Sequence, residues 1–316
     1  MAAITERSNV LTEDIDVASP VELVRLLRQG DAQLFSGFEG LDGICDESTL
    51  DTICLIAESA AKCIQNEGLI LLSGCGTSGR LAHFISRSFN NILQQQGRPP
   101  CFKYFNAGGD SALFRSVEAP EDNWRAAVTE LHTMLPESTL SPVLYIGITC
   151  GLSAPAVAAQ LEVCINRPNT TSVLFGFNPP HLARKLQIEG WDRSFFDVVQ
   201  EMLSRTGEGA SCLLLTPAVG PEVITGSTRM KGGSATKMLL EIIFSMTLAH
   251  VSAQSPLTHR VCEQLLQQYE VAWCCMAWDL FFVCSFLFFV CLFVFFELLI
   301  DSLSSLTRRA LCHIFN

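Results

Sequence analysis

Between residues 68 and 215 the chain carries five short apolar runs, at 68–72, 101–105, 143–148, 172–177 and 212–215. Each has the length of a single strand, and few polar residues interrupt them. A strand buried on one face alternates apolar and polar residues, whereas a strand covered on both faces is apolar nearly throughout. The stretches between the runs, notably 81–93, 123–135 and 154–164, have helix-forming composition. This alternation predicts an α/β fold, one parallel sheet with helices on both faces. Ligands of such sheets sit beyond the carboxyl ends of the strands, so the turns that follow the runs are where function should be sought.

Upstream, residues 20–27 open an amphipathic helix and residues 48–64 space their apolar side chains at helical intervals. We therefore expect an N-terminal helical segment over 1–66, the sheet domain over 67–255 and a helical continuation over 256–272. After Trp273 the composition changes abruptly, and 273–316 is set apart as a divergent apolar tail. Its stretch 280–296, LFFVCSFLFFVCLFVFF, holds no charge. Its 17 residues are at the short limit for a membrane span. Arg308 and Arg309 beyond it would favour a cytoplasmic C-terminus. The same composition is what a pyrimidine-rich intron read in frame would encode, because Phe, Leu, Val, Cys and Ser all have uracil-rich codons. The abrupt switch favours that second reading, and a membrane is a partner only if 280–296 inserts.

A net charge of −11 over 316 residues, with no basic cluster, argues against nucleic acid as a partner. The N-terminus, MAAITERSNVLTEDIDVAS, is polar and mixed in charge and does not read as a signal peptide. Fourteen cysteines are scattered without framework or CxxC spacing. They read as small apolar residues in a reducing compartment. The histidines show no metal-ligand spacing, so no metal is expected.

Three turns carry the chemistry. Residues 73–80, SGCGTSGR, follow the first apolar run and lead into a helix. Thr77 and Ser78 add hydroxyls where a helix N-terminus already presents free N–H groups and the positive end of its dipole, a combination suited to a phosphate ester. Residues 74–79 also fit GxGxxG, but the acidic residue that a dinucleotide would need after the second strand is missing there, Asp110 coming too late. The second turn, GITCGLSAP at 147–155, places Thr149, Gly151 and Ser153 at the same sheet edge. The third, TGSTRMKGGS at 225–234, brings Ser227 and Thr228, with Arg229 and Lys231 expected to form an anion clamp. Taken singly, each turn could be structural, with Ser153 a helix cap and loop 225–234 merely solvated. Glu121, in the acidic run EAPED, either complements a helix dipole or reaches a sugar hydroxyl or scissile bond.

These motifs, together with Ala107-Gly108-Gly109 and GFNPPHLAR, resemble the sugar isomerase (SIS) domains over residues 1 to about 272. The resemblance is strongest to the glucokinase regulatory proteins, with the bacterial N-acetylmuramic acid 6-phosphate etherases as cousins. It implies a flavodoxin-like parallel sheet that binds phosphosugars. The ligands would be fructose 6-phosphate and fructose 1-phosphate, the protein partner glucokinase, the compartments cytoplasm and nucleus, and no cofactor. Phosphate would meet Thr77 and Ser78, with Thr149, Gly151 and Ser153 close by, Ser227 and Thr228 near the ligand, and Glu121 facing the sugar hydroxyls. The etherases carry a general-acid glutamate ten residues beyond the position of Ser78, and here that residue is Ser88. A serine cannot protonate a leaving group near neutral pH unaided, which favours a binding protein over a phosphosugar lyase or isomerase. The family continues into a second SIS domain and a helical cap where this chain enters its apolar tail. The expectation is therefore a truncated regulator with impaired inhibition of glucokinase.

Overall fold

The structure is a computed structural model that describes residues 3–115, 120–207 and 211–279, with backbone only over 272–279. Glu118 and Ala119 of the acidic run, and the 280–296 stretch, lie outside the described residues. The strands are β1 (Leu69–Gly74), β2 (Phe102–Asn106), β3 (Val143–Ile148), β4 (Thr170–Phe175) and β5 (Cys212–Leu215). The helices are α1 (Pro20–Ala32), α2 (Glu47–Gln65), α3 (Thr77–Gln95), α4 (Ser111–Phe114), α5 (Trp124–Met134), α6 (Pro155–Ile165), α7 (Phe195–Ser204), α8 (Lys231–Ala253) and α9 (His259–Asp279). All pairings are parallel, in the order β2-β1-β3-β4-β5. That is the flavodoxin-like order.

The continuous apolar strands have the cause the sequence suggested. Every residue of β1 and β3 is buried. Ile70, Leu72, Leu144, Ile146 and Phe175 point into one core with α2, α3 and α8. Leu69, Leu71, Val143, Tyr145 and Leu174 point into the other with α6 and α7. Local capping sets the helix starts. Ser19 Oγ accepts from Glu22 N ahead of Pro20. Ser194 and Asp197 form a reciprocal capping box on α7.

Three element starts differ from expectation by two residues or more. β4 begins at Thr170 rather than 172, because Thr170 and Thr171 pair with Val143 and Leu144. α3 begins at Thr77, four residues before the expected 81, and α8 at Lys231 rather than 235. Glycine and hydroxyl residues hide a helix start from propensity, yet here close packing selects them. Residues 3–17 form three 3-10 turns, Ile4–Glu6, Val10–Thr12 and Ile15–Val17, rather than continuous helix.

One polar strut crosses the second core. Gln160 of α6 is fully buried; its Oε1 accepts from Ser73 Oγ of β1 and from Tyr145 Oη of β3 (2.9 Å). Its Nε2 donates to the Ala127 carbonyl of α5 at 2.8 Å. Replacing Gln160 by Leu keeps the volume but removes the shared acceptor of two buried hydroxyls and the donor to the Ala127 carbonyl. Urea unfolding should show a loss of roughly 2–4 kcal/mol.

Candidate functional site

β1 and β3 are neighbours, but the chain leaves them for opposite faces, β1 into α3 and β3 into α6. The strand order reverses there, opening a crevice at the carboxyl edge of the sheet. The first loop turns at Gly76, whose φ of +58° suits glycine. Thr77 and Ser78 then occupy the first turn of α3 and are half-buried. Gly79 lets this turn press on β2, since a Cβ there would fall 1.9 Å from Asn106 Oδ1.

In the second loop, Thr149 is buried and its Oγ1 accepts from Ser153 N at 3.3 Å. Its carbonyl accepts from Leu152 N at 3.1 Å. This closes a tight turn ahead of Pro155, with Gly151 and Ser153 half-buried at its surface. Ser153 also lines a cavity of about 460 Å³, together with Asp122, Trp124, Arg184 and Gln187.

The third loop meets the other two through glycines of α8. A Cβ on Gly233 would lie 3.6 Å from Thr77 Cγ2 and 3.9 Å from the Thr228 carbonyl. One on Gly232 would lie 3.1 Å from Cys150 Sγ. The Cys150 thiol, pushed up to about 11 by burial, is within hydrogen-bonding influence of Thr236 and Ser78. Thr77, Ser78, the Thr149–Ser153 turn and Thr228 thus converge at one edge, with Ser227 beside Thr228. Glu121 belongs to the same neighbourhood. The Cys75 thiol is raised to about 12, first by burial and then by the charges of Glu121 and Asp122.

The expected clamp is corrected. Lys231 is fully buried, and its Nζ donates to the Pro221 carbonyl (2.9 Å) and Gln33 Oε1 (3.0 Å), so it supports α8 from inside. Arg229 remains exposed on the loop. Arg80, at the first loop, binds the Ala112 and Leu113 carbonyls.

Helix ends show where an anion could go. The N-terminus of α8 is already occupied, because Glu222 Oε2 accepts from Lys231 N (2.8 Å) and Oε1 from Gly232 N (2.9 Å). Those of α3 and α6, which flank the crevice, have no capping hydrogen bond from their N-cap residues. They present positive dipole ends beside the hydroxyls of Thr77, Ser78 and Ser153, while Ser78 N already donates to the Cys75 carbonyl, Val157 N to the Ala154 carbonyl, and Pro155 brings no N–H to the start of α6. Sequence reasoning missed Glu222, Cys150 and Asn178. Glu222 caps a helix that starts nine residues later, so no local capping pattern marks it.

Residues 52–165, from α2 to the end of α6, match the family model for the glucokinase regulatory protein N-terminal SIS domain. The chain carries a SIS domain of the glucokinase regulatory protein family. It is 40% identical to the glucokinase regulatory protein of Xenopus laevis over 277 residues, which are 85% of this chain and 44% of that protein. The chain thus spans less than half the length of such regulatory proteins. It is 28% identical over 250 residues to the N-acetylmuramic acid 6-phosphate etherase of Aliivibrio fischeri, 77% of this chain and 68% of the enzyme. A phosphoheptose isomerase from Francisella tularensis aligns with a TM-score of 0.45 at 12% identity, over 73% of this chain and 98% of that one. Among the described residues, no group of His, Cys, Asp and Glu side chains could hold a metal, and no helix is long and apolar enough to cross a membrane.

Burial makes this SIS domain's α8 cap pH-dependent. Folding raises Glu222 from an ordinary 4.5 to about 7, mainly by burial against two opposing backbone hydrogen bonds. Between those values the folded chain holds more protons than the unfolded one, so stability falls as pH rises. The contribution is full below 4.5 and is lost as pH passes 7. Urea unfolding at pH 5 and pH 7 should differ by about 2 kcal/mol from this group. Glu222→Gln should remove that difference.

Proposed function

We propose that this domain binds a phosphorylated sugar without turning it over, as the ligand-sensing part of a regulator of glucokinase. One observation carries the reading. The starts of α3 and α6, neither of them capped by its N-cap side chain, follow the neighbouring strands β1 and β3 at the same edge of the sheet, with Thr77 and Ser78 in the first turn of one and Ser153 just ahead of the other. Such an arrangement can surround a phosphate with neutral donors and needs no metal. Thr149 and Gly151 shape the second loop around it. Ser227 and Thr228 form the rim, and Glu121 is assigned to the sugar hydroxyls. Fructose 6-phosphate and fructose 1-phosphate are the ligands proposed, and glucokinase is the protein partner.

The groups at the crevice support binding over catalysis. They are hydroxyls, a thiol kept neutral by burial, and a glutamate engaged as a helix cap, which leaves Glu121 as a carboxylate without the second acid that a lyase would need. Ser88 lies ten residues along α3 from Ser78, about 15 Å by helical rise. Within one chain, position 88 is therefore remote from a phosphate at the first loop. Identity is also higher to proteins named as regulators, 40%, than to etherases, 28%. The compartments under this reading are cytoplasm and nucleus, in keeping with the unpaired thiols of the nine cysteines whose side chains are described.

Calorimetric titration of the full chain should give a fructose 6-phosphate Kd of roughly 0.1–1 mM. Ser78→Ala should weaken it by about 1.5–3 kcal/mol through loss of one hydrogen bond to a charged group. The melting temperature should stay at the parental value, because Ala suits a helix start. Parental affinity in the folded variant would place the phosphate elsewhere. Incubation with N-acetylmuramic acid 6-phosphate should release no lactate; sustained turnover would establish the lyase instead.

A further inference from the structure

The N-terminal segment ends its polar side chains in the candidate site. Thr5 is fully buried; its N–H donates to Asn178 Oδ1 (3.3 Å), and its Oγ1 accepts from Asn178 Nδ2 (3.0 Å). The same Nδ2 donates to the Cys150 carbonyl at 3.3 Å. Thr5 Oγ1 is also 4.0 Å from where a Cβ on Gly151 would stand. One buried amide thus ties the first 3-10 turn to the second loop, at the residue whose thiol faces Ser78.

A second anchor serves the third loop. Asn9 Nδ2 donates to the Pro221 carbonyl (3.1 Å) and to Gln33 Oε1 (2.9 Å). Lys231 Nζ uses the same two acceptors. Lys231 is the first residue of α8, and Asn9 is 5% exposed. Buried polar groups are costly when unpaired, so each anchor holds only while the segment is in place. None of the groups that Thr5, Asn9 and Asn178 bind belongs to a strand of the sheet. Loosening them should disturb the loops before it disturbs the fold.

We propose that residues 3–12 are an integral buttress of the phosphosugar site, with Thr5, Asn9 and Asn178 as positioning residues for the second and third loops. This rests on the phosphosugar reading above. A buttress is linked to its ligand reciprocally: what sets the loops for binding is itself stabilised by binding.

The test uses the full chain with fructose 6-phosphate, comparing parent, Thr5→Val, Asn9→Ala and, as a control in the core, Ile53→Val. Each anchor variant loses a buried hydrogen bond and should bind roughly three- to tenfold more weakly while remaining folded by circular dichroism. Ile53→Val should bind as the parent does, although it too is destabilised. In the parent, fructose 6-phosphate should slow amide hydrogen exchange over residues 4–12. The inference is overturned by parental affinity in both anchor variants, by an equal loss in Ile53→Val, or by unchanged exchange. Failure of the parent to bind fructose 6-phosphate would overturn the phosphosugar reading, and the inference with it.

Discussion

In a parallel sheet every strand ends at the same edge, so every following helix starts there with its first N–H groups unsatisfied. The rest of this structure follows from that constraint. Three such starts, those of α3, α6 and α8, meet near the β1–β3 switch. The chain treats them differently. Glu222 reaches back to neutralise α8, while α3 and α6 are left without a capping side chain from their N-cap residues. An anion drawn to this edge therefore finds its donors at α3 and α6, and meets a carboxylate already in place at α8.

The same division explains why hydroxyls rather than cations line the crevice. Of the loop cations, Arg80 is directed to carbonyls of α4 and Lys231 to that of Pro221, while Arg229 is exposed. A fixed array of neutral donors can hold a doubly charged phosphate without trapping it as a buried ion pair would, and desolvation of an opposing cation is avoided. The proposed binding of a phosphorylated sugar calls for an affinity of that moderate kind. Lys231 answers a different problem. Folding lowers it to about 8, chiefly by burial, and it is tolerated inside because carbonyl and amide oxygens surround it.

Buried polar contacts also decide how the segments outside the sheet are held. Gln160 locks β1, β3, α5 and α6 into one unit. Asn178 does the same for the second loop and the N-terminal turns. Each is a single amide satisfied by groups far apart in sequence, and such networks specify one arrangement because any other leaves their members unpaired.

The amino-acid sequence by itself determined the layered architecture. Apolar runs long enough for one strand and almost free of polar residues have only a doubly covered sheet to enter, and glycine with hydroxyls after such a run marks a phosphate-sized turn. That Thr77 and Ser78 open a helix, and that Thr149, Gly151 and Ser153 form a turn ahead of another, was legible because such placement depends on immediate neighbours along the chain. Tertiary structure alone decided what Lys231, Glu222, Asn178 and Thr5 do. Their partners lie between 9 and 198 residues away. No local pattern tells a lysine that faces a ligand from one that faces a buried carbonyl. The physical reason is that helix propensity, turn chemistry and periodicity act within a few residues, whereas the pairing of a buried charge or amide is settled by whichever distant segment packs against it.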